Sequence, residues 1–515
     1  MRSRYSNYDN VKNDSDGITG APILPGALKI PKRIGRDSSN SNNNTKNTTN
    51  IYNRISLYYS FRLTNRMDIK VRVRFLTKHD EYSVPLTPFS IPSKLGRYGL
   101  SEIINHLLDL NTNQPFDFTI NGKLIRVSLS KFISLYHIST EDVIAIEYMP
   151  AISISDESQT CELPSWIGCF SCTNNNDILD NVIISGCYDG QVRFNDVNNL
   201  SIISTVIVHD EPIRDIKTFS IDNNNQYIAT ASKDMSVKCW LVQKDNTTTD
   251  KITTDTKKRR KTKTNDMDID ESKVAYNMTQ VGILNGHSNS VESLSYWNAK
   301  GILLSGDWNG NVMGWNVGAI ESNSTNNNIK KSNNDDTIVD LKPVFTLRAH
   351  VQSVSGMYQS DDHLFTSSWD HSLKQWDLEK QDCINTYAGS KVITSLHVGT
   401  IDRNLIATSH PDGRVRVWDQ RLKSESGTVG SFSSKDGKDW VSQVRWHPSS
   451  GNIFASSDYE GTVKVWDLRS SIPLGTSDAH QGKALCIDWI VVDDVIKVVS
   501  GGSDCIIRST AIGSF

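Results

Sequence analysis

Residues 369–377, WDHSLKQWD, join a polar turn to a strand-like alternation that ends in Trp-Asp. The same grammar recurs on both sides: YDGQVRFND (188–196), KDMSVKCW (233–240), WNGNVMGWN (308–316), PDGRVRVWD (411–419), YEGTVKVWD (459–467) and SDCIIRST (503–510). The positions equivalent to the first Trp of each Trp-Asp pair are 195, 240, 315, 376, 418, 466 and 510. Most steps match a repeat of about 40–45 residues that closes one four-stranded unit. Two steps are too wide, and each holds a low-complexity insert, 244–273 or 321–340, of the kind a surface loop tolerates.

A unit of this kind cannot bury its apolar face alone, so seven copies point to a seven-bladed WD-repeat β-propeller over residues 151–515. Two copies supply a full set of His, Ser, Asp and Trp for a hydrogen-bonded chain inside the blade: His209, Ser232, Asp234 and Trp240, and His350, Ser368, Asp370 and Trp376. Such a chain satisfies polar groups that would otherwise be buried without partners. The third copy has His287 and Trp315 but Asn309 at the acidic position, and the fifth and sixth lack a histidine at the expected place, so these blades should be less rigid. Closing the ring removes exposed edges, and residues 151–158 (AISISDES) are expected to add the outer strand to the last blade.

Upstream the pattern changes. Residues 1–66 are rich in Asn, Ser and Thr, with too little apolar surface to offset the entropy of ordering, and read as a disordered extension. Met67 stands directly before the first patterned segment, which fits an extension of little functional weight or a later start. In 67–150, Ile69, Val71, Val73 and Phe75 alternate with Lys70, Arg72 and Arg74 as in a half-buried strand. Leu100, Ile103, Ile104, Leu107 and Leu108 share one helical face. Phe116–Ile120, an Asn121-Gly122 turn, Lys123–Ile125, a helical stretch near 129–136 and a strand at 143–148 complete the order ββαββ(α)β. That order suits a small α+β ubiquitin-like (β-grasp) domain, two layers around one core.

Of 515 residues, 55 are Lys or Arg and 58 Asp or Glu, a net charge of −3 that gives no global reason to bind nucleic acid or acidic membranes. The start MRSRYSNYDN lacks a signal-peptide core, and the eight scattered cysteines fit a reducing compartment. No run of eighteen apolar residues occurs, so the chain is expected to be soluble, with no membrane partner. There is no Walker loop, nucleophile elbow or His-Glu-x-x-His, and the chain is read as no enzyme, with no metal of its own. Cys169 and Cys172 lack a second Cys/His pair and read as structural. Lys257, Lys258, Arg259, Arg260, Lys261 and Lys263 form a basic run that reads as a nuclear import signal. Direct RNA contact is the weaker reading of that run, because aromatic side chains for stacking bases are missing from it.

Arg97–Leu108 (RYGLSEIINHLL) followed by Pro115–Phe118 (PFDF) resembles the amino-terminal domain of the Ytm family of ribosome biogenesis factors, a domain shared with Notchless proteins. Seven repeats with a basic loop between the second and third favour Ytm over the eight-bladed Notchless design. The resemblance implies a non-catalytic assembly factor for the large ribosomal subunit and rRNA maturation. It would act in the nucleus, nucleolus and nucleoplasm, on the pre-ribosomal particle. Its expected partners are a Bop-type WD-repeat protein, docked on the propeller, and a Pescadillo-like protein, together a trimer. It further implies that the midasin ATPase grips the ubiquitin-like domain, with Glu141 completing the coordination of a divalent metal, Mg²⁺ by preference, held by midasin. Carboxylate oxygen suits such a hard cation. Asp142 is an alternative and Glu147, inside the last strand, a poorer one. A competing reading is a WD-repeat adaptor of a ubiquitin ligase; the small domain, however, ends Tyr148-Met149-Pro150 without a di-glycine, and no F-box-like helix precedes the repeats.

Overall fold

The computed structural model describes residues 69–109, 114–152, 154–172, 179, 182–221, 225–245, 275–320, 338–360, 363–422, 428–433, 439–493 and 495–513. The extension at 1–66 and the basic run at 257–263 lie outside them.

The amino-terminal unit runs β1 (Lys70–Leu76), β2 (Phe89–Pro92), α1 (Arg97–Leu108), β3 (Phe116–Ile120), β4 (Lys123–Leu124), α2 (Leu129–Leu135) and β5 (Ile144–Pro150). These strands form one sheet in the order β2-β1-β5-β3-β4. The first and last strands lie side by side and parallel, Val73 opposite Ile144 and Phe75 opposite Ile146. Alternation buries Val71, Val73 and Phe75 from β1 and Ile144, Ile146 and Tyr148 from β5, while the intervening residues face solvent. Asn121 and Gly122 both take positive φ, 50° and 73°, which the tight β3–β4 turn requires.

α1 departs from the expected apolar face. Leu100, Ile103 and Ile104 are buried, but Leu107 and Leu108 are only half-buried and Ser101 and Asn105 are buried in their place. The reason is that the helix docks on β3 through polar groups. Ser101 Oγ accepts from Phe116 N at 2.9 Å and donates to Phe116 O at 3.1 Å, and Asn105 makes the matching pair with the Gln114 backbone at 2.8 and 2.6 Å. Backbone groups at the start of β3, which would be costly to bury unpaired, are thereby satisfied.

Residues 154–512 form seven further sheets: six have four strands, and the second gains a fifth. In each, strands follow one another outward from an innermost strand, antiparallel throughout the first four. β6 (Ile154–Glu162) is the outermost strand of the seventh sheet, pairing antiparallel with Ile506–Ile512. That strand lies about four residues further along than the stretch at 151–158, because Ala151 is still tied to the small unit through its amide to Pro115 O at 2.8 Å. Neither insert is as long as the composition suggests. Lys244 and Asp245 finish the strand Val237–Asp245, and Val339–Leu341 adds a parallel fifth strand beside Gly282–Leu284, where the edge of the second sheet offers unpaired backbone groups.

Apolar side chains fill the space between successive sheets. Ile167 and Phe170 of the first sheet share a core with Cys486, Ile490 and Val499 of the seventh, so the packing runs on from last to first. The innermost strands are also stapled by side chains that accept a neighbour's amide. Asp215 takes Leu294 N at 2.7 Å, Ser295 takes Gln359 N at 3.0 Å, Gln443 takes Ile487 N at 3.1 Å and Asp488 takes Cys172 N at 3.4 Å. Burial pushes Asp215 up to about 6, although the amide of Leu294 and the nearby charges of Arg445 and Lys217 oppose it. Among the described residues no helix is long and apolar enough to cross a membrane.

Candidate functional site

Within the described residues lie a loop carboxylate on the small unit, singled out through the family resemblance, and hydrogen-bonded sets inside the sheets, singled out by the repeat pattern. The loop begins where α2 ends. Tyr136 N donates to Phe132 O at 3.0 Å, His137 takes a left-handed φ of 50°, and Ile138 N returns to Ile133 O at 3.0 Å. The chain then passes through Ser139-Thr140-Glu141-Asp142 before β5. Glu141 is exposed, and its own amide donates to Ser139 Oγ at 3.4 Å. Among the described residues none donates to its carboxylate. Asp142 is exposed beside it. Glu147 instead stands within β5 and accepts from Thr119 Oγ1 at 3.4 Å, which commits it to the sheet. No three His, Cys, Asp or Glu side chains converge into a metal-holding group among the described residues.

Inside the second sheet His209 Nδ1 lies 2.7 Å from Asp234, and His209 Nε2 lies 2.8 Å from Thr230 Oγ1, which accepts from Trp240 Nε1 at 3.1 Å. The fourth sheet repeats this with His350 to Asp370 at 3.0 Å, His350 to Thr366 at 2.7 Å and Trp376 to Thr366 at 2.9 Å. The hydroxyl between His and Trp is therefore Thr230 or Thr366, and not Ser232 or Ser368. Those serines lie two residues further along the strand and tie the turn instead: Ser232 Oγ donates to Pro212 O at 3.1 Å and Ser368 Oγ to Gln352 O at 3.2 Å, while each accepts the amide of the turn aspartate. Sequence could not separate the two positions, since both belong to one side of the strand by the two-residue period. Burial acts to raise Asp234 and Asp370, but hydrogen bonds from His209 and Ser236, and from His350 and Ser372, outweigh it and hold both well below the ordinary carboxylate range.

The third sheet is complete, contrary to the expectation built on Asn309. His287 reaches Asp307 at 3.1 Å and Ser305 at 2.6 Å, and Trp315 donates to Ser305 at 2.8 Å. The acid comes from two residues earlier, and Asn309 bridges to Ser288 at 3.1 Å. The fifth sheet draws its histidine from an unexpected place: His410, at the end of the strand that carries Thr408, meets Thr408 at 2.9 Å while Trp418 donates to the same hydroxyl at 2.8 Å. Burial, with Arg416 close by, pushes His410 down to about 4, so it is neutral. In the sixth, Lys464 forms a buried ion pair at 2.5 Å with Asp458, the acid equivalent to Asp307, and Trp466 donates to Ser456 at 2.8 Å. The seventh has His480 on Asp504 at 3.0 Å and on Ser500 at 2.8 Å, a set missed because Thr510 replaces the tryptophan. Cys169 is buried among apolar side chains; Cys172 shares its strand, and burial raises both thiols well above their usual range. The histidines and their hydroxyl partners are buried and hydrogen-bonded to one another, an arrangement that builds rigidity into each sheet.

Comparison with known proteins adds to this geometry. Residues 71–133 match the model of the NLE (NUC135) domain, and 200–240, 278–316, 341–377, 381–419 and 428–467 match that of the WD domain, G-beta repeat. Each matched repeat carries the fourth strand of one sheet and the first three strands of the next, which interlocks neighbours. The first and seventh sheets, with Asn195 and Thr510 at the tryptophan position, fall largely outside these matches. The chain is similar to proteins named ribosome biogenesis protein WDR12 homolog. It is 32% identical over 452 residues to that of Arabidopsis thaliana (85% of this chain, 96% of the relative) and 30% over 451 residues to that of Oryza sativa (84% and 95%). With the Dictyostelium discoideum protein of the same name it shares 28% over 460 residues (85% and 94%).

Proposed function

Because the chain belongs to the WDR12 family of ribosome biogenesis proteins, with its NLE domain and WD repeats, we propose that it is a non-catalytic scaffold which a machine grips at one module and a partner holds at the other. The amino-terminal unit is a ubiquitin-like fold, a reading supported by its sheet order and by the parallel pairing of first and last strands. The repeats form a seven-bladed ring, supported by the seven successive sheets and by the shared core of the last and first. The propeller docks a Bop-type WD-repeat protein in a trimer with a Pescadillo-like protein on the large-subunit precursor. Glu141 supplies one carboxylate to a divalent ion held by the midasin ATPase, and force applied there releases the factor from the particle.

The observation that carries this reading is that likeness to the named relatives runs through both modules at once. Support for the handle is local: an exposed carboxylate on a short loop that follows the Ile138 N to Ile133 O hydrogen bond and leads into β5, whose Ile144 lies opposite Val73. Glu141→Ala should abolish Mg²⁺-dependent capture of full-length protein by midasin while co-purification of the propeller partner persists, since an exposed loop acid contributes little to stability. Capture unchanged by the substitution sinks the handle. In a density gradient the tagged protein should travel with large-subunit precursors; travel with a ligase core instead would favour the adaptor reading. The basic run 257–263 directs nuclear import, and its deletion should shift the tagged protein toward the cytoplasm. Undiminished nucleolar signal after deletion would count against it.

A further inference from the structure

Where the innermost strands of the sheets begin lies a cavity of about 340 Å³ whose walls include Tyr188, Trp308, Trp369, Trp440 and Tyr459. Tyr188, Trp308, Trp369 and Tyr459 each open the polar turn of their repeat (YDG, WNG, WDH and YEG). Topology gathers these turns on one side of the sheets. Trp308 and Trp369 lie 5.1 Å apart between ring centres, Trp369 and Trp440 6.2 Å, and Trp440 stacks on Tyr459 at 5.7 Å, making one continuous arc. Trp308 and Trp440 are 41% and 38% exposed, a costly position for large rings unless something covers them.

The charges around the arc indicate what would cover it. Arg214 is the sole cation among the lining residues; its Nε lies 3.7 Å from Glu292, also in the lining, and its guanidinium rests over Tyr188 at 5.6 Å. Lys483 lies over Tyr459 at 4.5 Å. The chain thus already sets cations on the two tyrosines that flank the arc. Among the described residues no cation occupies the faces of Trp308, Trp369 or Trp440. Next to this arc in sequence stand Asp439, before Trp440, and Glu460, after Tyr459. The two carboxyls stand close together, and Asp439 raises Glu460 above its usual range, so an acidic pair lies beside the arc.

We propose that the Trp308, Trp369 and Trp440 arc is a receptor for a positively charged side chain, arginine above all, presented by an extended peptide of a partner protein. Ring faces attract cations through their quadrupole, and a planar guanidinium can stack on them with the acidic pair nearby in the chain. A nucleic acid fits less well, because phosphates need cations and the lining's one cation already faces Glu292. The site is independent of Glu141, so either can fail without the other.

The test uses the full-length chain and two synthetic peptides, Gly-Ser-Arg-Ser-Gly and its citrulline counterpart, blocked at both ends and followed by tryptophan fluorescence. Citrulline keeps the shape and loses the charge. The arginine peptide should bind about tenfold more tightly, and that preference should vanish in Trp369→Ala and shrink in the milder Asp439→Asn with Glu460→Gln. The contrast between peptides on the unaltered protein stands even where a variant folds poorly. Equal affinity for the two peptides, no binding of either at millimolar concentration, or displacement of the arginine peptide by oligouridylate would each overturn the proposal.

Discussion

Thr366 shows how much rests on a single hydroxyl. It meets His350 Nε2 at 2.7 Å and accepts Trp376 Nε1 at 2.9 Å inside a fully buried site. Thr366→Val keeps the shape and strands two buried polar groups, so it should cost about 1–3 kcal/mol for each group left unsatisfied. Thr366→Ser retains the oxygen and should lose far less. Denaturant unfolding of the two variants separates these outcomes, and equal losses would mean that volume and not hydrogen bonding matters there. Sequence pointed to the right histidines, acids and tryptophans in these two sheets, but took Ser368 for the bridging group, because a pleat places residues two apart on one side and only the neighbouring ring shows which is closer.

At the scale of elements, turns couple one sheet to the next. Gly310 holds a φ of 89°, and a Cβ there would stand 2.2 Å from the carbonyl of His350, whose amide donates to Gly310 O at 3.0 Å. The turn of the third sheet thereby seats the histidine of the fourth. Gly310→Ala should cost about 3 kcal/mol or more, combining left-handed strain with a backbone clash. Gly301, with a φ of 62° and open space about it, isolates the strain alone, and Gly301→Ala should cost about 1 kcal/mol. Thermal unfolding of the pair checks the difference; a milder loss at 310 would show that the turn yields without disturbing its neighbour.

For the whole molecule, stability should respond to acid in two stages. Burial holds His410 and His447 neutral, down at about 4, whereas an unfolded histidine takes its proton near 6.5. Between those values the unfolded chain binds more protons, so stability is full above about pH 6.5 and falls as pH drops toward 4, by about 3 kcal/mol at most for each group. Asp215, raised to about 6, works oppositely across roughly pH 4 to 6 and blunts the fall. Below about pH 4 the depressed Asp234 and Asp370 become protonated in the unfolded chain first, and their contribution is lost as pH descends further. Unfolding free energy measured against pH should bend in both windows, and His410→Gln should shallow the upper one. A flat profile from 6.5 to 4 would refute the neutral buried histidines.

By itself the sequence settled what depends on local period and composition. The seven turn-strand units, the alternation of β1, the Asn121-Gly122 turn and the order of elements in the small unit were all legible, because each follows from side chains repeating every two or four residues. The tertiary structure decided what depends on distant partners. It supplied Thr230 and Thr366 as bridges, Asp307 in place of Asn309, His410 from an unforeseen strand end, Val339–Leu341 as an added strand that begins within the end of a supposed insert, and the gathering of three tryptophans at one opening. Most of these are contacts between separate strands or between a strand and a loop, and a chain's periodicity carries no record of which of several chemically similar groups the fold will bring within hydrogen-bonding reach.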